Sequence, residues 1–355
     1  MSAFETSIQL LQSLIAIPSF SKEEGVTADI LYAYLKNHGV DAQRDKHNVW
    51  AKNLYFDASK PSILLNSHHD TVKPNQGYTR NPFEASIEGD KLYGLGSNDA
   101  GAALVSLIAS FLHFYGQENL PFNLILAATA EEEISGANGI ADAWQHFPKI
   151  DMAIVGEPTS LKVAIAEKGL LVLDCVSKGK AAHAARDEGR NAIYEAMGDI
   201  HWFRTHQFEK LSETLGEVKM TVTQIQAGTQ HNVVPDTCAF VVDARVTDAY
   251  TLEEVLDEIK SAVRCEVKPR SMRLRPSGIE VNHPLVMAAK AIGLELFGSA
   301  TLSDQALIPL PSIKLGPGDS ARSHTEDEFV YLHEIEKGIE TYIALLKNIK
   351  LEYSL

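Results

Sequence analysis

Three short apolar runs in the first half of the chain each end in histidine or acidic residues. The runs lie within 63–67, 123–128 and 151–156, and helical patterns of apolar residues precede and separate them. Strands that alternate with helices in this way predict a largely parallel α/β sheet flanked by helices. The carboxyl ends of such strands share one edge of the sheet, where ligands gather. The polar residues at these ends are His68, Asp70, Glu131, Glu132, Glu133 and Glu157.

Two other segments add residues that commonly bind metals. Asp99 follows the glycine-rich stretch 94–96 and precedes a helical pattern, so an N-cap is its alternative interpretation. His324 lies in a polar loop after 316–318. The acids at 131–133 have an alternative too, a solvated acidic turn. Taken together, two imidazoles and several carboxylates without cysteine suit one or two zinc-like ions in an open, catalytic site, because divalent cations offset the repulsion between acids.

The middle of the chain has a different pattern. Between 169 and 278, strand-like and helical segments follow the order β-α-β-β-α-β, which is typical of a ferredoxin-like α+β module. Helical periodicity resumes from Pro284. The sequence therefore predicts a discontinuous first domain, 1–168 and 279–355, interrupted by an inserted domain at 169–278.

Charge and composition exclude several classes of partner. A net charge of -15 argues against nucleic acid and anionic membranes, because neither is attracted to such a field. No stretch reaches the roughly 18 apolar residues of a membrane span, and the first residues lack a secretory signal, so we expect a cytoplasmic protein. Cys175, Cys238 and Cys265 are far apart, which indicates neither a disulfide framework nor a CxxC metal site. The expected partner is a small molecule.

Several motifs occur in a fixed order along nearly the whole chain. They are Ser67-His68-His69-Asp70, Gly94-Leu95-Gly96-Ser97-Asn98-Asp99, Glu131-Glu132-Glu133, Glu157-Pro158-Thr159, Gly316-Pro317-Gly318 and His324-Thr325-Glu326-Asp327-Glu328. In order and wording they resemble the dizinc aminoacylase family that includes acetylornithine deacetylase, succinyl-diaminopimelate desuccinylase and carboxypeptidase G2-like enzymes. The resemblance implies a zinc-exopeptidase-like, mostly parallel sheet flanked by helices, with an inserted lid and dimerisation domain.

The resemblance also implies two zinc ions per chain, replaceable by Co²⁺, that share one carboxylate. The implied ligands are Asp99 between the ions, His68 and Glu157 for one ion, and Glu133 and His324 for the other. Asp70 would orient His68, and Glu132 would be the general base. Because alternation along a strand would turn Glu132 away from Glu133, this role requires the strand to end by Thr129 or Ala130.

Three residues of the inserted domain match functional positions of the family. His183 matches a histidine that reaches into the partner subunit's site of a homodimer and stabilises the oxyanion. Its alternative is a surface residue beside a helix. Asn232 and Arg245 match positions that bind substrate, and an arginine fork suits the carboxylate of an amino acid. The alternative for Arg245 is an ion pair with Asp243 or another acid.

The expected activity is removal of an acetyl or succinyl group from an amino acid. The sequence differs from the usual family motifs at Leu95, at Glu131 and in the stretch 100–102, but every implied ligand is present. Gly316-Pro317-Gly318-Asp319-Ser320 with His324 is nearest to the acetylornithine deacetylase branch, so acylated ornithine or citrulline in arginine biosynthesis is the expected substrate. The alternatives are succinyl-diaminopimelate desuccinylase, carrier-protein-lysine hydrolase, a dipeptidase or broad aminoacylase, and a metal-binding scaffold without activity.

Overall fold

The computed structural model describes residues 1–351, in which the chain forms eight α-helices and eighteen strands. The helices are α1 Ala3–Ile15, α2 Gly25–Asn37, α3 Ala102–Tyr115, α4 Ile140–Ala143, α5 Ala192–Thr205, α6 Leu252–Ala262, α7 Pro284–Ala291 and α8 Leu332–Asn348. The strands are β1 Gln43–Asp45, β2 Asn48–Lys52, β3 Ser62–His68, β4 Ser86–Glu88, β5 Lys91–Tyr93, β6 Asn123–Thr129, β7 Met152–Val155, β8 Val163–Glu167, β9 Gly169–Lys178, β10 Ala182–His183, β11 Lys219–Ala227, β12 Val233–Val234, β13 Thr237–Val246, β14 Glu266–Pro269, β15 Ser277–Gly278, β16 Leu296–Ser299, β17 Ser312–Lys314 and β18 Phe329–Tyr331.

The chain divides into two compact units. The first unit comprises 1–165, 278–297 and 303–351, and the second comprises 166–277 and 298–302. The sequence predicts domain boundaries at 168/169 and 278/279, and the structure divides at 165/166 and 277/278.

The first unit is built on a mostly parallel sheet. Its strands run in the order β1-β2-β6-β3-β7-β17-β8-β15, and the central pairs β6–β3, β3–β7 and β7–β17 are parallel. Every residue of β3 and of β6 is buried. A strand covered on both faces needs apolar residues at every position rather than at alternate ones, which explains the continuous apolar runs of the sequence. The predicted mostly parallel α/β class is confirmed.

Helix α3 lies in the core of the first unit. Its small and apolar residues are buried almost throughout, and it packs against α1, α8 and β3. The site described below lies where the chain enters this helix and where β3, β6 and β7 end. Among the helices of residues 1–351, none is both long and apolar enough to cross a membrane.

The second unit has the element order that the sequence predicts. Its antiparallel sheet runs β11-β13-β9-β14, and α5 and α6 complete the order β-α-β-β-α-β along the chain. Buried positions alternate along β9 and along β13. One face of this sheet therefore packs into the apolar core that the two helices share. Cys175, Cys238 and Cys265 are free thiols.

Candidate metal centre

His68 is the last residue of β3 and presents one ring nitrogen to three carboxylates. Its Nδ1–H donates to the backbone carbonyl of Asp70 at 2.9 Å, which leaves Nε2 as the ligand atom of the neutral ring. Nε2 lies 3.3 Å from Asp99 Oδ1, 3.8 Å from Glu157 Oε1 and 3.9 Å from Glu132 Oε2. Burial opposes the charged imidazolium, yet hydrogen bonds with Asp70 and Asp99 hold the pKa of His68 well above its usual range.

Asp99 stands between the two histidines that the sequence singled out. Its Oδ1 faces His68, while Oδ2 lies 3.7 Å from His324 Nε2. The N-cap interpretation is wrong, because α3 begins only at Ala102 and Gly101 occupies its cap position. Its carboxylate therefore faces His68 and His324 at the same time.

The strand that precedes the three acids ends where the general-base assignment requires. β6 stops at Thr129, and Glu131 then takes a left-handed backbone with φ of 57°. The carboxylate of Glu131 turns to Asn138, accepting from its backbone N–H at 3.1 Å and from Nδ2 at 2.9 Å. Strand alternation is thereby broken, and Glu132 and Glu133 can both face the histidines.

Asp70 holds this acidic turn as well as His68. Its carboxylate accepts the backbone N–H of Glu132 at 3.0 Å, that of Glu133 at 3.2 Å and the hydroxyl of Ser21 at 2.7 Å. The same carboxylate lies 3.4 Å from His68 Nδ1, farther than the Asp70 backbone carbonyl. Both the side chain and the backbone of Asp70 thus help to orient the imidazole.

His324 and Glu133 form a second histidine–carboxylate set, besides the set of His68 and the acids around it. His324 Nε2 lies 3.0 Å from Glu133 Oε2 and 3.3 Å from Oε1. The hydrogen bond with Glu133 raises the pKa of His324 to about 9, against the effect of its partial burial. His324 has a left-handed backbone, with φ of 60°, and lies in a turn before β18.

Two buried acids of this centre have strongly raised pKa values. Burial raises the pKa of Glu157 to about 8 and that of Glu132 well above its usual range. Within residues 1–351, the buried Glu157 Oε1 has no hydrogen-bond partner. An orphaned buried oxygen beside an imidazole nitrogen is what a metal ligand needs, and the nitrogen and oxygen donors suit zinc. The residues therefore fit a divalent cation.

Sequence reasoning assigned no role to two buried acids beside the centre. Asp304 accepts from Asn66 Nδ2 and from Thr129 Oγ1, each at 2.8 Å, and burial raises its pKa to about 6. Glu328 accepts backbone N–H groups of the loop that carries Asp99. Asp304 follows no apolar run that would have drawn attention to it. Glu328 was part of a recognised motif, but only its spatial neighbours reveal what it does.

The three candidates at 183, 232 and 245 belong to the second unit. His183 is exposed on the short β10–β12 pair, and its Nδ1 accepts the backbone N–H of Ala185 at 3.1 Å. The Asn232 carbonyl accepts the N–H of Ala184 at 2.9 Å, so Asn232 lies beside the His183 segment. Arg245 does not lie there.

Arg245 forms the ion pair that was its alternative interpretation. Its Nε and Nη2 donate to the two carboxylate oxygens of Asp243 at 2.8 and 3.0 Å. The fork geometry expected for a substrate carboxylate is thus used within the chain. A role for Arg245 in substrate binding stays a prediction.

Comparisons with known proteins extend over both units. A family profile described as Peptidase family M20/M25/M40 matches residues 64–348. A probable carboxypeptidase from Paracoccidioides lutzii is 27% identical over 96% of this chain and 84% of that protein. Acetylornithine deacetylase from Edwardsiella ictaluri is 28% identical over 91% of this chain and 92% of that protein. The crystal structure of an M20 family metallo-carboxypeptidase from Sulfolobus solfataricus matches with a TM-score of 0.76 at 18% identity, covering 98% of this chain and 99% of that one.

Proposed function

The chain belongs to peptidase family M20/M25/M40 and is a hydrolase of amide bonds, and we propose that its substrate is an N-acyl amino acid. The observation that carries the chemistry is the junction of two histidine–carboxylate sets at Asp99, with Glu132 beside them. The acyl group proposed is acetyl or succinyl, and the amino acid is ornithine or citrulline, as in arginine biosynthesis. Likeness to acetylornithine deacetylase over most of both chains supports this choice.

Two zinc ions are the proposed cofactors, with Co²⁺ as a substitute. The proposed ligands are Asp99 for both ions, His68 and Glu157 for one, and Glu133 and His324 for the other. When bound, such ions acidify a water molecule and polarise the scissile carbonyl. The orphaned Glu157 oxygen and the mixture of nitrogen and oxygen donors support the assignment.

Glu132 is the proposed proton carrier. Asp70 fixes its backbone, so its carboxylate is presented beside His68 rather than left to sample solvent. A carboxylate held in this way can take a proton from water and deliver it to the leaving amine. His183, acting from the partner subunit of a homodimer, is the proposed donor to the oxyanion.

Hydrolysis of a C-terminal peptide bond is the second candidate function. The probable carboxypeptidase among the relatives favours it. The two substrate classes share an amide bond next to a free α-carboxylate and differ only on the acyl side. Asn232 and Arg245 are the proposed contacts of the substrate carboxylate in either case. The two candidate functions therefore differ only in which acyl group, an acetyl or succinyl group or a peptide, the enzyme accepts.

A substrate panel tests the proposal. With metal-reconstituted protein, we expect N-acetylornithine or N-acetylcitrulline to be cleaved faster than succinyl-diaminopimelate or plain dipeptides. The carboxamide of N-acetylornithine should show about 10- to 100-fold lower kcat/KM, because a hydrogen bond to a charged group is worth about 1.5–3 kcal/mol. Equal rates for acid and carboxamide would contradict a carboxylate contact. Faster cleavage of dipeptides would favour the carboxypeptidase function.

The second unit offers a surface for the proposed homodimer. β11 lies at the edge of its sheet, pairing with β13. Ile225 on β11 is 60% exposed, and Tyr194 and Met197 on α5 are 72% and 60% exposed. An unpaired strand edge beside exposed apolar side chains favours association with another copy.

Ile225→Lys should weaken this dimer, because a charge on an edge strand disfavours pairing with another strand. We expect sedimentation velocity to show a shift to monomer at concentrations where the wild type is dimeric. Val26→Lys is the matched control, since Val26 is 52% exposed in the first unit. If His183 acts across the interface, the monomeric variant also loses activity. A dimer that withstands Ile225→Lys but not Val26→Lys would place the interface elsewhere.

A further inference from the structure

A buried glutamate holds the loop that carries Asp99. Glu328 is only 2% exposed and immediately precedes β18. Its Oε1 accepts the backbone N–H of Asn98 at 2.8 Å and that of Asp99 at 2.9 Å, and its Oε2 accepts the N–H of Gly96 at 3.1 Å. One side chain thus binds three backbone groups of a single loop.

These bonds replace those that regular structure would supply. Gly96 has a left-handed backbone with φ of 75°, and Asp99 departs from helical angles before α3 begins. Buried N–H groups in such a turn need acceptors, and a carboxylate forms stronger bonds with them than a neutral oxygen does. The path of this loop therefore depends on Glu328.

The loop matters because of where it places one carboxylate. Asp99 lies between His68 and His324, and a displaced Asp99 backbone would withdraw its side chain from both. His324 itself lies four residues before Glu328 in the chain. The 324–328 segment thus supplies the proposed ligand His324 directly, and through Glu328 it holds the backbone of the proposed ligand Asp99.

We propose that Glu328 is a positioning residue for both metal ions, acting through the backbone of Asp99. This inference rests on the proposed function, since it assumes that Asp99 is the shared ligand. Glu328 itself does not bind metal. Loss of Glu328 should lower the affinity for both ions together. Loss of His324, a proposed ligand of one ion, should lower the affinity for that ion.

Glu328→Gln is the primary test. The variant keeps the shape of the side chain but turns one acceptor oxygen into a donor, so at least one of the three backbone bonds is lost. In the metal-free protein, we expect faster hydrogen exchange at the amides of Gly96, Asn98 and Asp99. We expect chelator competition to show about 10- to 100-fold weaker binding of both zinc ions, the usual cost of losing a residue that orients a ligand.

Two further variants separate positioning from other roles. Glu328→Asp keeps the charge but shortens the reach, so positioning predicts weakened binding, whereas a purely electrostatic role predicts wild-type affinity. Glu326→Gln removes an exposed carboxylate from the same segment and should change neither exchange nor binding. The visible spectrum of the Co²⁺-loaded protein should change in both Glu328 variants, because the ligand geometry changes.

The outcomes separate the inference from the proposed function. Unchanged exchange at the three amides in Glu328→Gln, or wild-type affinity for both ions, would overturn positioning by Glu328. Wild-type protein that binds no zinc or cobalt would overturn the metal assignment and, with it, the effect expected on binding. Thermal unfolding is recorded for each variant first. If Glu328→Gln is unfolded, Glu328→Asp is used for both measurements, with the same criteria.

Discussion

Replacing Glu132 with glutamine should lower kcat by about 100- to 10,000-fold while both metal ions stay bound, because a general base contributes to proton transfer and not to coordination. Steady-state kinetics on the metal-reconstituted variant, together with metal analysis of the same sample, measure the two effects separately. Glutamine keeps the size of the side chain and leaves its backbone bond to Asp70 available. The turn should therefore persist.

Distance alone does not distinguish a base from a ligand here. Glu132 Oε2 and Glu157 Oε1 lie 3.9 and 3.8 Å from His68 Nε2, and both acids belong to one group with His68 that could hold a metal ion. Glu157→Gln is therefore the matched comparison, and it should lose metal as well as turnover. If Glu132→Gln lost as much metal as His68→Ala does, Glu132 would be a ligand and the base would have to be sought elsewhere.

Asp99→Ala should abolish the binding of both ions, whereas His324→Ala should weaken the binding of only one ion. The physical reason is that the Asp99 carboxylate faces both histidines, at 3.3 and 3.7 Å. Removing a group that only orients a ligand already costs about 10- to 100-fold in metal affinity, and a shared ligand should cost more at each ion. Metal content after dialysis and chelator titration distinguish one lost ion from two.

Asp304→Asn provides the control for Asp99→Ala. Asp304 is also a buried acid of this region, but its Oδ2 already accepts two hydrogen bonds, from Asn66 and Thr129. We expect this variant to keep two ions. One ion bound at wild-type affinity in Asp99→Ala would contradict a shared ligand, and two independent sites would then replace the dinuclear assignment.

The sequence predicted that most residues of the candidate metal centre would lie close together, and this prediction used a property of parallel sheets. His68 ends a buried strand, and Glu132, Glu133 and Glu157 follow two others. The carboxyl ends of parallel strands lie at one edge of the sheet whatever the details of packing. The ordered motifs added Asp99 and His324, and with them the family, which the profile match over 64–348 confirms. The substrate remains a proposal, because acyl amino acids and peptides present the same scissile group.

The sequence by itself determined the α/β class, the inserted β-α-β-β-α-β unit and the residue types gathered at the strand ends, because these depend on local periodicity and chain order. Only the tertiary structure decided which way each side chain faces. Glu131 turns to Asn138 through a left-handed backbone, and Arg245 pairs with Asp243. Glu328 reaches the Asp99 loop from more than 200 residues away in sequence. Backbone angles outside helix and strand, and bonds between distant segments, leave no periodic trace in a sequence, so they had to be read from the folded chain.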